Sequence, residues 1–190
     1  MIDIIIKNLP ILVVLTPLMM SLIVVLISNN FLSWLLTLFT TLITFIFSLL
    51  LYQEVYLHTA ISYALGNWVP PLGIEYLIDK VSIIPIIIIA LISFLATFFA
   101  SKIMPAEINN SSISKVYSLW LLAIAGLIGL VTTGDAFNLF VFLEISSLAS
   151  VALVAMGGQK DKQALVAAYN YLILGAIGAT FYVIGVGLLY

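Results

Sequence analysis

One carboxylate of this sequence lies inside an apolar segment. Glu144 follows Asp135 by nine residues in the segment 135–156, close to the bilayer midplane if that segment crosses a membrane. An acidic side chain at that depth costs about 2.5–3.5 kcal/mol on insertion scales. On a helix, the residues three and four positions away are Phe140, Val141, Ser147 and Leu148, so the Ser147 hydroxyl is the only polar side chain nearby. Glu144 must therefore face protein or water, and its partner must come from another segment.

Two interpretations of Glu144 follow from the residues alone, and both stay open at this point. A structural one is a hydrogen bond to a neighbouring helix. A functional one is a proton relay, in which an intramembrane carboxyl binds and releases a proton. Asp135 is expected at the membrane surface, on the opposite helix face from Glu144, as a helix-start residue favoured by the helix dipole. Asn138, Ser146 and Ser150 suit either hydrogen bonds between helices or a hydrated path.

Composition indicates what positions these side chains. Hydrophobic residues make up 64% of the 190 residues and charged residues only 7%, whereas a soluble domain is about a quarter charged. The apolar residues form unalternated blocks of about twenty, the length that a helix needs to cross the hydrocarbon core. Helices satisfy their own backbone hydrogen bonds in lipid. The sequence therefore predicts an all-α polytopic membrane protein.

Six transmembrane helices are predicted, over residues 9–27, 31–52, 81–100, 116–131, 135–156 and 164–190. The polar segment 53–80 is expected to be an ordered loop at the membrane surface with its aromatic rings at headgroup level. A second polar loop is expected over 102–115. Met1-Ile2-Asp3 lacks the basic region and cleavage site of a signal peptide, so the first span is expected to be retained.

The lysines predict the orientation of the spans. Two lysines, Lys7 and Lys80, fall on one side of the membrane, and four fall on the other: Lys102, Lys115, Lys160 and Lys162. Loops rich in lysine stay in the cytoplasm. We therefore expect the four-lysine side to be cytoplasmic, with both termini and the 53–80 loop outside.

Several classes of function are not supported. The net charge is −2 and the six basic residues are dispersed lysines, so no nucleic-acid partner is expected. The chain has no cysteine, and the lone His58 cannot form a metal site by itself, so it is interpreted as an interfacial residue. Gly157-Gly158 is not followed by the residues of a phosphate-binding loop. No cofactor, metal or enzyme active site is predicted.

The residues around Glu144 carry a resemblance. The run Gly134-Asp135-Ala136-Phe137-Asn138-Leu139-Phe140-Val141-Phe142-Leu143-Glu144-Ile145-Ser146-Ser147 closely resembles the fifth-helix motif of the antiporter-like subunits shared by Mrp-type sodium/proton antiporters, complex I and membrane-bound hydrogenases. Residues 61–76 and 171–182 look most like the D-type subunits of Mrp complexes. The resemblance covers essentially the whole chain, weakly in the first two spans and strongly from Ile61 onward.

The resemblance implies a role and an environment for Glu144. It would be the key carboxylate of the fifth helix, relaying protons together with a lysine on a broken seventh helix. Asp135, Asn138 and Ser147 are the candidate supporting residues. The chain would be a transporter subunit in a bacterial-type inner (plasma) membrane, with other subunits, the lipid bilayer, protons and Na⁺ as its partners. The sequence departs from the pattern at Asn170, where relatives often carry a charged residue.

The resemblance also implies a domain organisation. Family members have about fourteen helices built around two inverted five-helix repeats. Residues 1–114 would then be peripheral helices one to three with the outer loop at 53–80, and residues 115–190 the first three helices of an incomplete first repeat. One alternative is a proton-pumping subunit of a complex I-like NADH:quinone oxidoreductase or a hydrogenase, disfavoured only by the Trp68-Val69-Pro70-Pro71 loop. Another is a truncated, non-conducting remnant or membrane scaffold.

Overall fold

The computed structural model describes residues 6–68, 72–159 and 161–189. Its long helices are α1 (Leu9–Val25), α2 (Asn30–His58), α3 (Ile83–Glu107), α4 (Ile113–Thr132), α5 (Ala136–Met156) and α6 (Gln163–Leu189). Within the described ranges, α2 to α6 are long and apolar enough to cross a membrane, and α1 is a shorter apolar helix of 17 residues. The predicted six-helix polytopic fold is confirmed.

Two predicted loop boundaries are wrong. Helix α2 continues past the predicted end at Tyr52 to His58, and α3 continues past Ala100 to Glu107. The prediction ended each span where the hydrophobic block ends, but a helix keeps its backbone hydrogen bonds into the watery interface. The predictions that involve Val69-Pro70-Pro71 and Lys160 lie outside the described residues, as do those for Met1-Ile2-Asp3 and Tyr190.

The predicted surface loop contains a β-hairpin. Strands β1 (Ala60–Ala64) and β2 (Glu75–Asp79) pair antiparallel, and Tyr63 lies opposite Tyr76. The chain leaves α2 through Thr59, whose φ of 68° is uncommon for a residue other than glycine. A single residue, Thr59, therefore separates the end of α2 from the start of strand β1.

Asp79 joins the hairpin to α3. Its carboxylate accepts hydrogen bonds from the backbone N–H groups of Ser82 at 2.8 Å and Val81 at 3.0 Å, and from the Ser82 hydroxyl. These bonds, chiefly the one from the Ser82 backbone, lower the pKa of Asp79 below its usual value of 3.8. The carboxylate thus stabilises the start of α3.

Helix α4 is the centre of the bundle. Twelve of its 20 residues are buried, whereas most of the described side chains of α5 and α6 are partly or fully exposed. Apolar side chains from α4, such as Leu121, Ile124 and Ile128, are fully or nearly fully buried and belong to one core with Leu9 and Val13 of α1. Helices α5 and α6 therefore form the least covered side of the described structure.

The buried face of α2 is lined by hydroxyls. This hydroxyl stripe consists of Ser33, Thr37, Thr40, Thr41, Thr44 and Ser48. Each hydroxyl donates to a carbonyl three or four residues earlier in the chain, for example Thr37 to Ser33 at 2.8 Å and Thr44 to Thr40 at 2.9 Å. Each hydroxyl of the stripe therefore has a backbone carbonyl as its acceptor and needs no partner on another helix.

Thr97 joins three helices. The Trp34 indole N–H of α2 donates to the Thr97 backbone carbonyl at 2.9 Å, and the Trp120 indole N–H of α4 donates to the Thr97 hydroxyl at 3.0 Å. Both donors are partly buried, where an unpaired N–H would be costly. The two bonds fix α2 and α4 against α3.

Candidate functional site

Glu144 lies near the middle of α5. It is the ninth of 21 residues, so its Cα lies about 12 Å along the axis from the first residue, at about 1.5 Å per residue. Asp135 starts this helix as its N-cap, and its carboxylate accepts a hydrogen bond from the Asn138 backbone N–H at 2.6 Å. The expectation that Asp135 is a helix-start residue is confirmed.

One face of α5 packs closely against α4 through two glycines. A Cβ added to Gly129 would lie 2.3 Å from Phe142 Cδ1, and one added to Gly126 would lie 2.7 Å from the Ser146 backbone nitrogen. Glycine allows helix backbones to approach at this distance in a membrane. Phe142 and Ser146 therefore define the inner face of α5.

Glu144 lies on the opposite face. It is two residues from both Phe142 and Ser146, a rotation of about 200° on a helix. Its side chain is half-buried. The same face carries Phe137, which is 62% exposed, Val141, which is 37% exposed, and Leu148, which is 51% exposed. The carboxylate consequently faces away from α4, toward the least covered side of the described structure.

Helix α6 lies beside Glu144. A Cβ added to Gly175 would lie 2.9 Å from the Ser147 hydroxyl oxygen, and the Tyr182 hydroxyl donates to the Ala136 carbonyl at 3.0 Å. Ser147 is three residues from Glu144 and so lies on the adjoining side of α5. The α6 contact therefore flanks the carboxylate and leaves it half-exposed.

The Glu144 carboxylate makes no side-chain hydrogen bond to any residue that the structure describes. An ion pair of His58 with Glu54, at 3.8 Å, lies near the end of α2 and does not involve Glu144. Ser146 and Ser150 donate to carbonyls of their own helix, at 3.0 and 2.7 Å. The described residues thus position Glu144 without supplying a charged partner.

The other predicted site residues lie nearer the start of α5. The Asn138 side chain donates to the Thr133 hydroxyl at 2.9 Å and lies beside the Tyr76 hydroxyl of strand β2. Burial raises the pKa of Tyr76 to about 12, although the neighbouring Asn138 side chain acts in the opposite direction. The structure therefore brings Asp135 and Asn138 together, and it separates them from Glu144.

Tyr76 is the part of this arrangement that the sequence did not reveal. The sequence predicts it as an aromatic residue at the headgroup level, but its side chain is 4% exposed and it contacts α5. No motif marks a pairing between residues 62 positions apart in the chain. The glycines of α4, three residues apart, were the available signal for the close α4–α5 contact.

Comparison with known proteins gives the class. No protein-family model matches the chain. The chain is 44% identical over 128 residues, 67% of its length, to NADH-quinone oxidoreductase subunit N of Desulforudis audaxviator (strain MP104C). It is 36% identical over 185 residues, 97% of its length, to antiporter subunit mnhD2 of Staphylococcus aureus (strain MRSA252).

Two solved structures share the fold. One is a chain of the membrane-bound sulfane sulfur reductase, an archaeal respiratory membrane complex, with a TM-score of 0.88 and 32% identity over 96% of this chain. The other is a chain of the Mrp complex from Dietzia sp. DQ12-45-1b, with a TM-score of 0.85 and 23% identity over 98% of this chain. This chain covers 37% and 34% of those two chains, respectively.

These matches confirm the resemblance: the chain is homologous to membrane subunits of antiporter and quinone-oxidoreductase complexes. Within that class, the match to the antiporter subunit mnhD2 covers nearly the whole chain. The chain spans 25% of the length of the NADH-quinone oxidoreductase relative and 36% of the length of mnhD2.

Proposed function

We propose that this chain is part of a proton-conducting subunit of a multisubunit monovalent cation/proton antiporter in a bacterial plasma membrane. The observation that carries the proposal is the position of Glu144. It lies mid-helix on the uncovered face of α5 and has no partner among the described residues, in a chain similar over 97% of its length to an antiporter subunit. Ionisable side chains inside a membrane are costly and typically mark ion or proton pathways.

The geometry supports a role for each residue of the proposed site. Glu144 binds and releases the proton, and Ser147 lies on the adjoining side of the same helix. Asp135 and Asn138 act indirectly by fixing the start of α5. The cationic partner implied by the resemblance, a lysine of a broken seventh helix, would approach the exposed face that carries Phe137 and Leu148.

A carboxyl suits this step energetically. A proton that crosses the membrane gains or loses about 2.3 kcal/mol per 100 mV. An intermediate site must therefore bind it neither too weakly to load nor too tightly to release. A carboxyl beside a movable cation meets both needs, because approach of the cation favours loss of the proton and its withdrawal favours binding.

The test replaces Glu144 with glutamine in the complete complex, reconstituted into vesicles with an imposed Na⁺ gradient and an internal pH dye. Glutamine keeps the shape and cannot carry the proton, so we expect Glu144→Gln to assemble normally and to lower exchange to the level of protein-free vesicles. Glu144→Asp should retain part of the activity. Asn170→Ala is the matched control, since Asn170 is exposed on α6 and uncharged, and wild-type exchange is expected.

A wild-type exchange rate in the assembled Glu144→Gln variant would show that the carboxylate is structural and would favour the scaffold alternative. The 44% identity to an NADH-quinone oxidoreductase membrane subunit supports a second candidate, a membrane subunit of a quinone-linked complex. The subunits that co-purify with the chain separate the two. Antiporter subunits alone support the first candidate, and an electron-transfer module supports the second.

A further inference from the structure

We propose that Tyr76 is a positioning residue for Glu144. In this arrangement the surface hairpin holds the first turns of α5 at one rotation, and that rotation determines where the Glu144 carboxylate points. The contact set, called here the hairpin junction, consists of Glu75, Tyr76, Thr133, Gly134 and Asn138. The transport consequence rests on the proposed function, whereas the structural consequence is independent of it.

The backbone forms the first part of the hairpin junction. The Gly134 N–H donates to the Glu75 carbonyl at 2.9 Å, and Tyr76 and Thr133 form an antiparallel bridge. A Cβ added to Gly134 would lie 3.2 Å from the Leu77 Cβ. Strand β2 thus pairs directly with the turn that connects α4 to α5.

Side chains form the second part. Tyr76 and Asn138 are 4% and 8% exposed, and the Asn138 side chain lies beside the Tyr76 hydroxyl and acts to lower its pKa. Asn138 also donates to the Thr133 hydroxyl at 2.9 Å. The Tyr76 ring packs beside Phe142, with ring centroids 6.3 Å apart. Tyr76 therefore contacts α5 at two successive turns.

These contacts determine the orientation of Glu144 because a helix rotates as a unit. Asn138 and Phe142 are four residues apart and lie on one side of α5, and Glu144 lies about 200° from Phe142. The end of a side chain lies about 5 Å from the helix axis, so a rotation of about 20° displaces it by about 2 Å. A misplacement of about 1 Å is enough to slow a positioned reaction by about 100-fold.

The test uses the complete subunit in its complex, with spin labels on cysteines introduced at Leu127 and Val154. These side chains are 44% and 40% exposed on α4 and α5, and the 190 residues contain no other cysteine. Pulsed electron paramagnetic resonance measures the distance between the labels. Unlabelled variants are assayed for Na⁺-driven proton exchange in vesicles.

The test variant is Tyr76→Phe, which keeps the ring and removes the hydroxyl. We expect the label distance to shift or broaden by about 2 Å and exchange to fall by about 100-fold, the effect of a misplacement of about 1 Å. Tyr63→Phe is the matched control. Tyr63 lies opposite Tyr76 in the same hairpin, but its hydroxyl bonds Asn8, before α1, at 2.8 Å, so neither quantity should change.

Thr133→Val is the second variant, because it removes the acceptor of Asn138 with little change in shape and should reproduce the shift. An unchanged distance in both variants overturns the proposal, whatever their exchange rates. A shifted distance together with wild-type exchange overturns the transport consequence. A shifted distance in a complex whose exchange does not depend on Glu144 supports the positioning contact and contradicts the proposed function.

Discussion

Substitution of Gly126 by alanine tests whether the α4–α5 contact is as close as the structure shows. The added Cβ would lie 2.7, 2.8 and 2.9 Å from the nitrogen, Cβ and Cα of Ser146. Two of these three atoms are backbone, so a change of side-chain rotamer cannot relieve the overlap. Helix α5 must move or the contact must open.

The size of the effect follows from those distances. Ordinary contacts of a Cβ begin near 3.4 Å, so the two helices must separate by roughly 0.7 Å at this point. Overpacking of a close contact costs about 1–3 kcal/mol. Alanine recovers up to about 1 kcal/mol in helix propensity. We therefore expect Gly126→Ala to lower the free energy of unfolding by about 1–2 kcal/mol.

The assay is unfolding of the purified chain by sodium dodecyl sulfate in mixed micelles, followed by far-UV circular dichroism. Gly178→Ala is the matched control, because a Cβ at that position in α6 would meet no atom within 4 Å and keeps only the propensity gain. Gly126→Ala should unfold earlier than wild type, and Gly178→Ala at the same point or later. Equal stability of Gly126→Ala and Gly178→Ala would show that α4 and α5 do not approach as closely at Gly126 as described.

Three further predictions concern other parts of the chain. Thr97→Val removes the acceptor of the Trp120 indole and should cost about 1 kcal/mol in the same unfolding assay, with a change in tryptophan fluorescence; unchanged fluorescence and stability would contradict the bond. A cysteine at Asn110 should react with an impermeant maleimide only after cells are permeabilised, and labelling of intact cells would reverse the predicted orientation. Burial raises the pKa of Tyr76 from 10.0 to about 12, so the neutral phenol contributes its full stability below pH 10 and loses it as the pH rises through about 12. The free energy of unfolding of Tyr76→Phe should therefore fall less steeply with pH between 10 and 12 than that of the wild type.

The sequence predicted the spans well where apolar blocks meet turn residues. Helix α5 was expected over 135–156 and occupies Ala136–Met156, because Asp135 caps one end and Gly157 follows the other. The end of α2 was missed because hydrophobicity reports contact with lipid, whereas a helix ends where its hydrogen bonds end. Gln53 and Glu54 are polar but helical, and composition cannot distinguish them from a loop.

The candidate site was predictable in part. Glu144 was found from its cost in an apolar segment, a property of the residue and its neighbours in the chain. Tyr76 was not found, because its role depends on a bridge to Thr133 that only the folded hairpin creates. The β-strands were missed for a related reason, since five residues with little alternation carry a weak signal.

The hydroxyl stripe of α2 has a consequence for biogenesis. Since its hydroxyls donate to carbonyls close by in the chain, α2 can leave the translocon and enter lipid with these donors satisfied before α3 is synthesised. The buried Tyr76 side chain has no such local solution, because the α5 residues that it contacts, Asn138 and Phe142, follow it by more than 60 residues in the chain. Insertion of α2 can therefore be early and independent, whereas the hairpin can dock only after α5 has emerged from the ribosome.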